Sequence, residues 1–168
     1  MDQDSDHGRD VQLVLAFLNT LDIESGTDVL LDEAAWLTWA RRQEVPEPGS
    51  RAQARLVRDA LRATAGVGLI NDRRLAGALQ VDLVNGQPVL VGSDAAGVVL
   101  AASARLAVLG DWERVKICAA AECRWAFFDR SRNRSRTWCS MRVCGNRTKA
   151  RNWRERARVG ANRVAVAP

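Results

Sequence analysis

The sequence predicts an α+β protein in two parts: a mostly helical body with a small β-hairpin over residues 1–112, and a basic module over residues 113–168. Three observations carry this expectation. Apolar residues recur at helical spacing through the first part. Two β-branched runs there flank Asn85-Gly86. All four cysteines, and most of the positive charge, fall in the second part. A chain of 168 residues suits one medium domain, or one of about 110 residues plus a small module.

Residues 1–9 are polar and acidic and read as disordered. Val11, Val14, Phe17, Leu18 and Leu21 then recur at helical spacing, with Asp10 as N-cap, giving a first helix over about 10–22. Ser25-Gly26 breaks it. A second helix runs from Asp28 or Asp32 to Gln43, with Leu30, Ala34, Leu37 and Ala40 on one face and Trp36 and Trp39 beside it. Pro46 and Pro48 close it. Ser50 opens a third helix, and Gln53 makes a capping box with it. Leu56, Val57, Ala60, Leu61 and Thr64 line one side until Gly66 and Gly68. Asn71 caps a short fourth helix with Leu75, Ala78 and Leu79. Asn85-Gly86 is a type I′ hairpin signal, since both central positions need positive φ. Pro88 cannot donate to a ladder and marks an edge strand. Ser93 caps a fifth helix through Val98, Ala102, Leu106 and Leu109, and Gly110 stops it. These stripes read as core, with a ligand pocket as the alternative for Trp36 and Trp39.

Composition narrows the function. No run of about 18 uncharged apolar residues is present, so no membrane-spanning helix is expected. The acidic start lacks the pattern of a signal peptide, which points to the cytoplasm and to reduced cysteines. The single histidine, His7, lies in the acidic N-terminal tail, so Ser–His and Cys–His catalysis lack a base. There is no glycine-rich phosphate loop and no carboxylate cluster. The chain is not expected to be an enzyme.

The cysteines are spaced Cys118-x4-Cys123, fifteen residues, then Cys139-x4-Cys144. Paired thiols around a hairpin-sized insert match a structural zinc site of four thiolates. Iron would also suit this soft donor set, and zinc is the expectation. Four protein thiolates leave no open position for water, so the metal would be structural. Glu113–Ile117 reads as a strand feeding Cys118. Residues 124–128 and 136–138 read as the two arms of a hairpin around the 129–135 turn. A helix follows from Ser140 or Gly145 to about Arg158. Knuckle, hairpin and helix in this order make a treble-clef-like zinc finger, with Trp125, Phe127, Trp138 and Trp153 as its small core.

Charge is divided between the parts. From Asp111 onward there are 15 Lys/Arg against 5 Asp/Glu, whereas residues 1–110 hold 10 against 15. Such asymmetry fits phosphate neutralisation by the second part. Arg130, Arg132, Arg134 and Arg136 crowd the turn. Arg147, Arg151, Arg154 and Arg158 form a ridge on one side of the Ala150, Trp153 and Ala157 stripe, and Lys149 and Arg156 flank its other side. These are the candidate nucleic-acid contacts. Docking of the arginines on the acidic body is the competing explanation.

The stretch 115–158, with its four cysteines, Trp125, the DRSRNRSR run and Cys144-Gly145-Asn146-Arg147, resembles the CGNR zinc finger family of bacteria. The N-terminal part is similar to the ABATE domain that precedes this finger in stress-induced transcription regulators. Its best piece is Phe17-Leu18-Asn19-Thr20, where Ala16 replaces the family's aspartate. The resemblance implies one zinc ion on Cys118, Cys123, Cys139 and Cys144, and DNA binding by the finger. Within the signature, Gly145 would let backbone approach the thiolates, Asn146 would cap the helix or touch an adenine edge, and Arg147 is the leading nucleic-acid contact.

The expectation is therefore a cytoplasmic bacterial transcription regulator that binds double-stranded DNA through its zinc finger. The body would dimerise or sense a small-molecule effector. The alternatives are an RNA-binding finger and a zinc-stabilised adaptor for an acidic protein.

Overall fold

The computed structural model describes residues 3–45, 47–66, 75 and 79–164. Helix α1 (Gln3–Leu18) leads into a two-residue ribbon, β1 (Leu21–Asp22) with β2 (Thr27–Asp28). A 3-10 turn (Val29–Leu31) precedes α2 (Glu33–Arg42), and α3 (Arg51–Ala65) follows. The hairpin β3 (Leu79–Val84) and β4 (Gln87–Gly92) packs on α4 (Ala95–Val108). A second 3-10 turn (Trp112–Arg114) leads to the hairpin β5 (Val115–Ile117) and β6 (Ala126–Phe128). A π-turn (Met141–Gly145) enters α5 (Asn146–Val164). The architecture is the expected α+β type, with small antiparallel hairpins among helices. Among the described residues no helix is long and apolar enough to cross a membrane.

Helix α1 starts well before Asp10, against the expectation of a disordered 1–9. The reason is long-range pairing. Asp10 is a buried mid-helix residue whose carboxylate takes two bonds from Arg105 of α4, at 2.8 and 2.6 Å. His7 contacts Asp111 at 2.9 Å and lies edge-on to Phe128. Arg105 also donates to the Leu90 carbonyl at 2.7 Å, so one guanidinium joins α1, α4 and β4.

Several caps match their residues. Asp28 and Asp32 cap the 3-10 turn and α2 in succession, each accepting a backbone N–H. Ser50 caps α3. Asp94, rather than Ser93, caps α4 by accepting from Gly97. Asn85 and Gly86 both have positive φ, at 52° and 77°, as a type I′ turn requires. Gly92 is where the hairpin meets α4: a Cβ there would lie 2.0 Å from the Gly97 carbonyl carbon. Pro46, Gly68, Asn71 and Ala78, read above as helix ends, cap and helix face, lie outside the described residues; Leu79 opens β3 instead of ending a helix.

The main core gathers Val14, Phe17, Leu18, Trp36, Val57, Val99 and Leu106. Trp36 and Trp39 stack at 4.8 Å between ring centroids, with Phe17 tilted against both. The buried face of α2 is thus Trp36, Trp39 and Ala40, and Leu37 is turned outward. On α3, Leu56 is exposed while Arg58 is buried. Arg58 is held by Asp28 at 2.5 and 2.9 Å, by Asp59 and by Thr20. The inward face of α3 is therefore Ala54, Val57, Arg58 and Leu61, and Leu56 lies on the opposite side.

Candidate metal centre and basic face

The β5–β6 hairpin is shared between two cores. Ala126 and Phe128 face the body, where Val115 and Ala126 are fully enclosed. Phe127, between them, faces the cysteines. Strand alternation divides the two faces. Asn19, at the end of α1, binds the Ala126 backbone twice: its Oδ1 accepts from the N–H at 2.7 Å and its Nδ2 donates to the carbonyl at 3.0 Å. Arg62 of α3 donates to the carbonyls of Leu18 and Arg124, at 2.6 and 2.8 Å. The knuckle is therefore fixed to the body by backbone-directed side chains. Neither residue stood out in the sequence as a contact to the finger. Asn19 lies in the Phe17–Thr20 piece, which the sequence does not link to the finger.

Cys118 leaves β5 and Cys123 closes a tight loop, in which the N–H groups of Cys123 and Arg124 donate to the Ala120 carbonyl. Arg124 takes positive φ to make the turn. Cys139 comes from the following loop. Cys144 sits in the π-turn that Ser140 caps by accepting from Val143. All four sulfurs lie within 4.8 Å of one another. Cys139 Sγ is 3.6 Å from Cys123 Sγ and 3.7 Å from Cys144 Sγ. Four thiolates at about 2.3 Å from zinc place their sulfurs about 3.8 Å apart in a tetrahedron. The donor set and spacing fit one structural zinc ion.

The ionisation of these thiols agrees. Burial pushes the Cys139 thiol well up, helped by the sulfurs of Cys123 and Cys144. Burial also pushes Cys144 up to about 11. For Cys118 burial opposes ionisation, but N–H groups of Cys139 and Ala120 directed at its sulfur hold it below the ordinary thiol value. Cys139 and Cys144 thus resist ionisation, and a bound dication would reverse that balance.

Asp129 is the centre of the loop that follows β6. It is fully buried. Its carboxylate accepts from Lys116 Nζ at 2.7 Å and from the backbone N–H groups of Arg136 and Ser131, at 2.8 and 2.9 Å. Burial alone would raise its pKa; these donors outweigh it and hold the carboxyl well below the usual range. This corrects the expected return strand at 136–138. The backbone of Arg136 is spent on a side chain, and β6 pairs with β5 instead.

The expected finger core is also corrected in part. Phe127 is buried and Trp138 packs beside the cysteines. Trp125 is 39% exposed and Trp153 is 67% exposed. Gly145 is tight against Met141: an added Cβ would lie 2.5 Å from its sulfur. Asn146 is already helical and exposed, and Ser140 does the capping.

The basic side chains divide by partner. Arg147 pairs with Glu24 of the body at 3.2 Å, and Arg151 with Glu122 at 3.1 Å. Arg134 pairs with Glu113 at 2.8 Å. Arg136 donates to the Cys139 carbonyl and lies over the Phe127 ring at 5.1 Å. Among the described residues Arg154 bonds only its own helix, at the Ala150 carbonyl. Arg130, Arg132, Lys149 and Arg158 are exposed and make no ion pair among the described residues. The α5 cations therefore sit on an exposed helix anchored by the cysteine site, and those of the loop lie on the segment whose backbone Asp129 holds.

Residues 114–157 match the model of the CGNR zinc finger family. The match begins one residue before β5 and covers all four cysteines, Asp129 and most of α5. No curated protein matches the chain.

Proposed function

We propose that this zinc finger protein is a bacterial, cytoplasmic transcription regulator that binds duplex DNA through the exposed helix α5 of its finger. The observation that supports this best is the placement of Lys149, Arg154 and Arg158. They project from one exposed helix, without acidic partners among the described residues, directly beyond a closed four-cysteine site. Such cations displace counterions from phosphates. Arginine forks can also read guanine edges.

The mechanism is binding without catalysis. Bound zinc, when present, supplies rigidity: four thiolate ligands orient the π-turn and so the start of α5. The Lys116–Asp129 pair shapes the loop bearing Arg130, Arg132 and Arg134. Those arginines add phosphate contacts, and the helix ridge supplies specificity. Arg147 and Arg151 are held in exposed ion pairs, which contribute little and exchange readily for phosphate. The body over residues 1–112, ABATE-like by resemblance, senses an effector or dimerises.

A specific observation favours one second reading. Trp125 and Trp153 are exposed, and exposed aromatics suit base stacking on single-stranded RNA. A mobility shift with a mixed-sequence duplex and with single-stranded RNA separates the two. On the DNA reading the duplex binds more tightly, and Trp153→Ala leaves that preference in place. Preferential RNA binding that Trp125→Ala or Trp153→Ala abolishes, with zinc content intact, would establish the RNA reading. Binding to neither polymer at low salt would leave an adaptor for an acidic protein.

A further inference from the structure

A cleft of about 930 Å³ lies between α1, α2 and the finger hairpin. Leu15, Ala16, Trp39 and Phe128 give it an apolar wall. Two cations line it as well: Arg42, from the last turn of α2, and Arg130, two residues after β6. Among the described residues no aspartate or glutamate lines it. Arg42 is unusual in the body. The other described arginines before residue 110 all donate to a protein partner or pair with a carboxylate. Arg42 and Arg130 do neither with any described residue, and both are exposed.

We propose that this cleft binds a small amphipathic carboxylate, with its apolar body against Trp39 and Phe128 and its charge on Arg42 and Arg130. A neutral apolar compound would leave the guanidiniums without a counter-charge. A bare inorganic anion would leave the apolar wall wet. An organic monoanion satisfies both, since charge-assisted bonds to arginine are the stronger class and the wall adds area removed from water. The inference rests on the reading of the body as a sensing domain, and it gives that domain a site and a ligand class. The cleft is walled by α1 and α2 on one side and by the finger on the other. A ligand there touches both parts of the chain.

The test uses the full-length, zinc-loaded chain and three probes: naphthalene-1-acetate, its uncharged amide, and inorganic phosphate. Calorimetry and quenching of tryptophan fluorescence read the binding, since Trp39 and Trp125 line the cleft. The acid is expected to bind at least about tenfold more tightly than the amide and than phosphate. Arg42→Gln with Arg130→Gln should bring the acid down to the affinity of the amide. Both side chains are exposed, so circular dichroism and zinc content should be unchanged. The proposal is overturned if the acid binds no better than the amide, if phosphate equals the acid, or if the double variant keeps the acid's advantage. No polymer enters this assay. Failure here with duplex binding intact rejects the cleft alone, and acid binding without duplex binding rejects the DNA reading alone.

Discussion

Asn19 hydrogen-bonds both backbone groups of Ala126, accepting from its N–H at 2.7 Å and donating to its carbonyl at 3.0 Å. A side-chain amide at the end of α1 thus occupies the place of a third strand beside β6. Ala126 is buried in the main core, so these two groups have no water to fall back on. Asn19→Ala should destabilise the chain by about 2–4 kcal/mol, from two buried groups left without partners. Denaturant midpoints at constant zinc would measure it. A change below about 0.5 kcal/mol would mean that the amide is not the clamp between body and finger.

Metal removal should reach beyond the finger. Phe127 and Trp138 pack on the cysteines, while Ala126 and Phe128, on the other face of the same strand, pack on the body. Chelation should therefore unfold the finger and loosen the β5–β6 contact with α1. Structural zinc contributes on the order of 10 kcal/mol to small finger domains. Cys144→Ser should lower bound zinc below one equivalent, read by mass spectrometry of the native protein. Full zinc retention with a tight affinity would contradict the four-cysteine assignment.

Asp129 links stability to acid pH. Its folded pKa is depressed, so its contribution is fully present above the unfolded value of about 3.9 and is lost as pH falls below it. From this group, stability should be flat between about pH 5 and 8 and should decline in acid. Asp129→Asn leaves Lys116 without its carboxylate and should cost about 2–4 kcal/mol at neutral pH. The gap between variant and wild type should begin to narrow as pH falls below about 4 and should keep narrowing in stronger acid. Zinc release by thiol protonation acts on both proteins, so the difference between them is the quantity to follow. A gap that is constant with pH would contradict the ionised, buried carboxylate.

Arg58 is a core cation whose removal should be felt. It is 1% exposed and clamps Asp28, whose side chain is 11% exposed. Burial opposes the ionisation of Asp28, and the hydrogen bonds from Arg58 and the Leu30 N–H, with the charges of Arg58 and Arg55, together outweigh it and lower the pKa. Arg58→Met should cost about 3–5 kcal/mol by stranding that carboxylate. Adding Asp28→Asn should recover part of the loss, a positive coupling in a double-mutant cycle. Purely additive losses would show that the pair does not act as a unit.

Local chemistry was readable before the structure. The Asn85-Gly86 turn, the cap at Ser50 and the cysteine pairs depend on neighbours in sequence, and the structure keeps them. What escaped depends on partners far along the chain. Asp10 read as a cap because Arg105 is 95 positions away. Residues 136–138 read as a strand because alternation does not reveal that Asp129 captures the Arg136 N–H. Leu56 read as core because periodicity alone cannot anticipate a buried Arg58 paired with Asp28. Asn19 belonged to a recognisable piece of sequence, yet its partner lies 107 positions on.

The central claim is that the helix fixed by the cysteine site carries the nucleic-acid surface. Duplex affinity measured across a salt series, for the wild type and for Lys149→Ala/Arg154→Ala/Arg158→Ala, tests it most directly. Each lost phosphate contact lowers the log–log salt slope by about 0.9, so the triple variant should bind more weakly with a slope shallower by about 2–3. An unchanged slope in the triple variant, or no duplex binding by the zinc-loaded wild type at low salt, would contradict the claim.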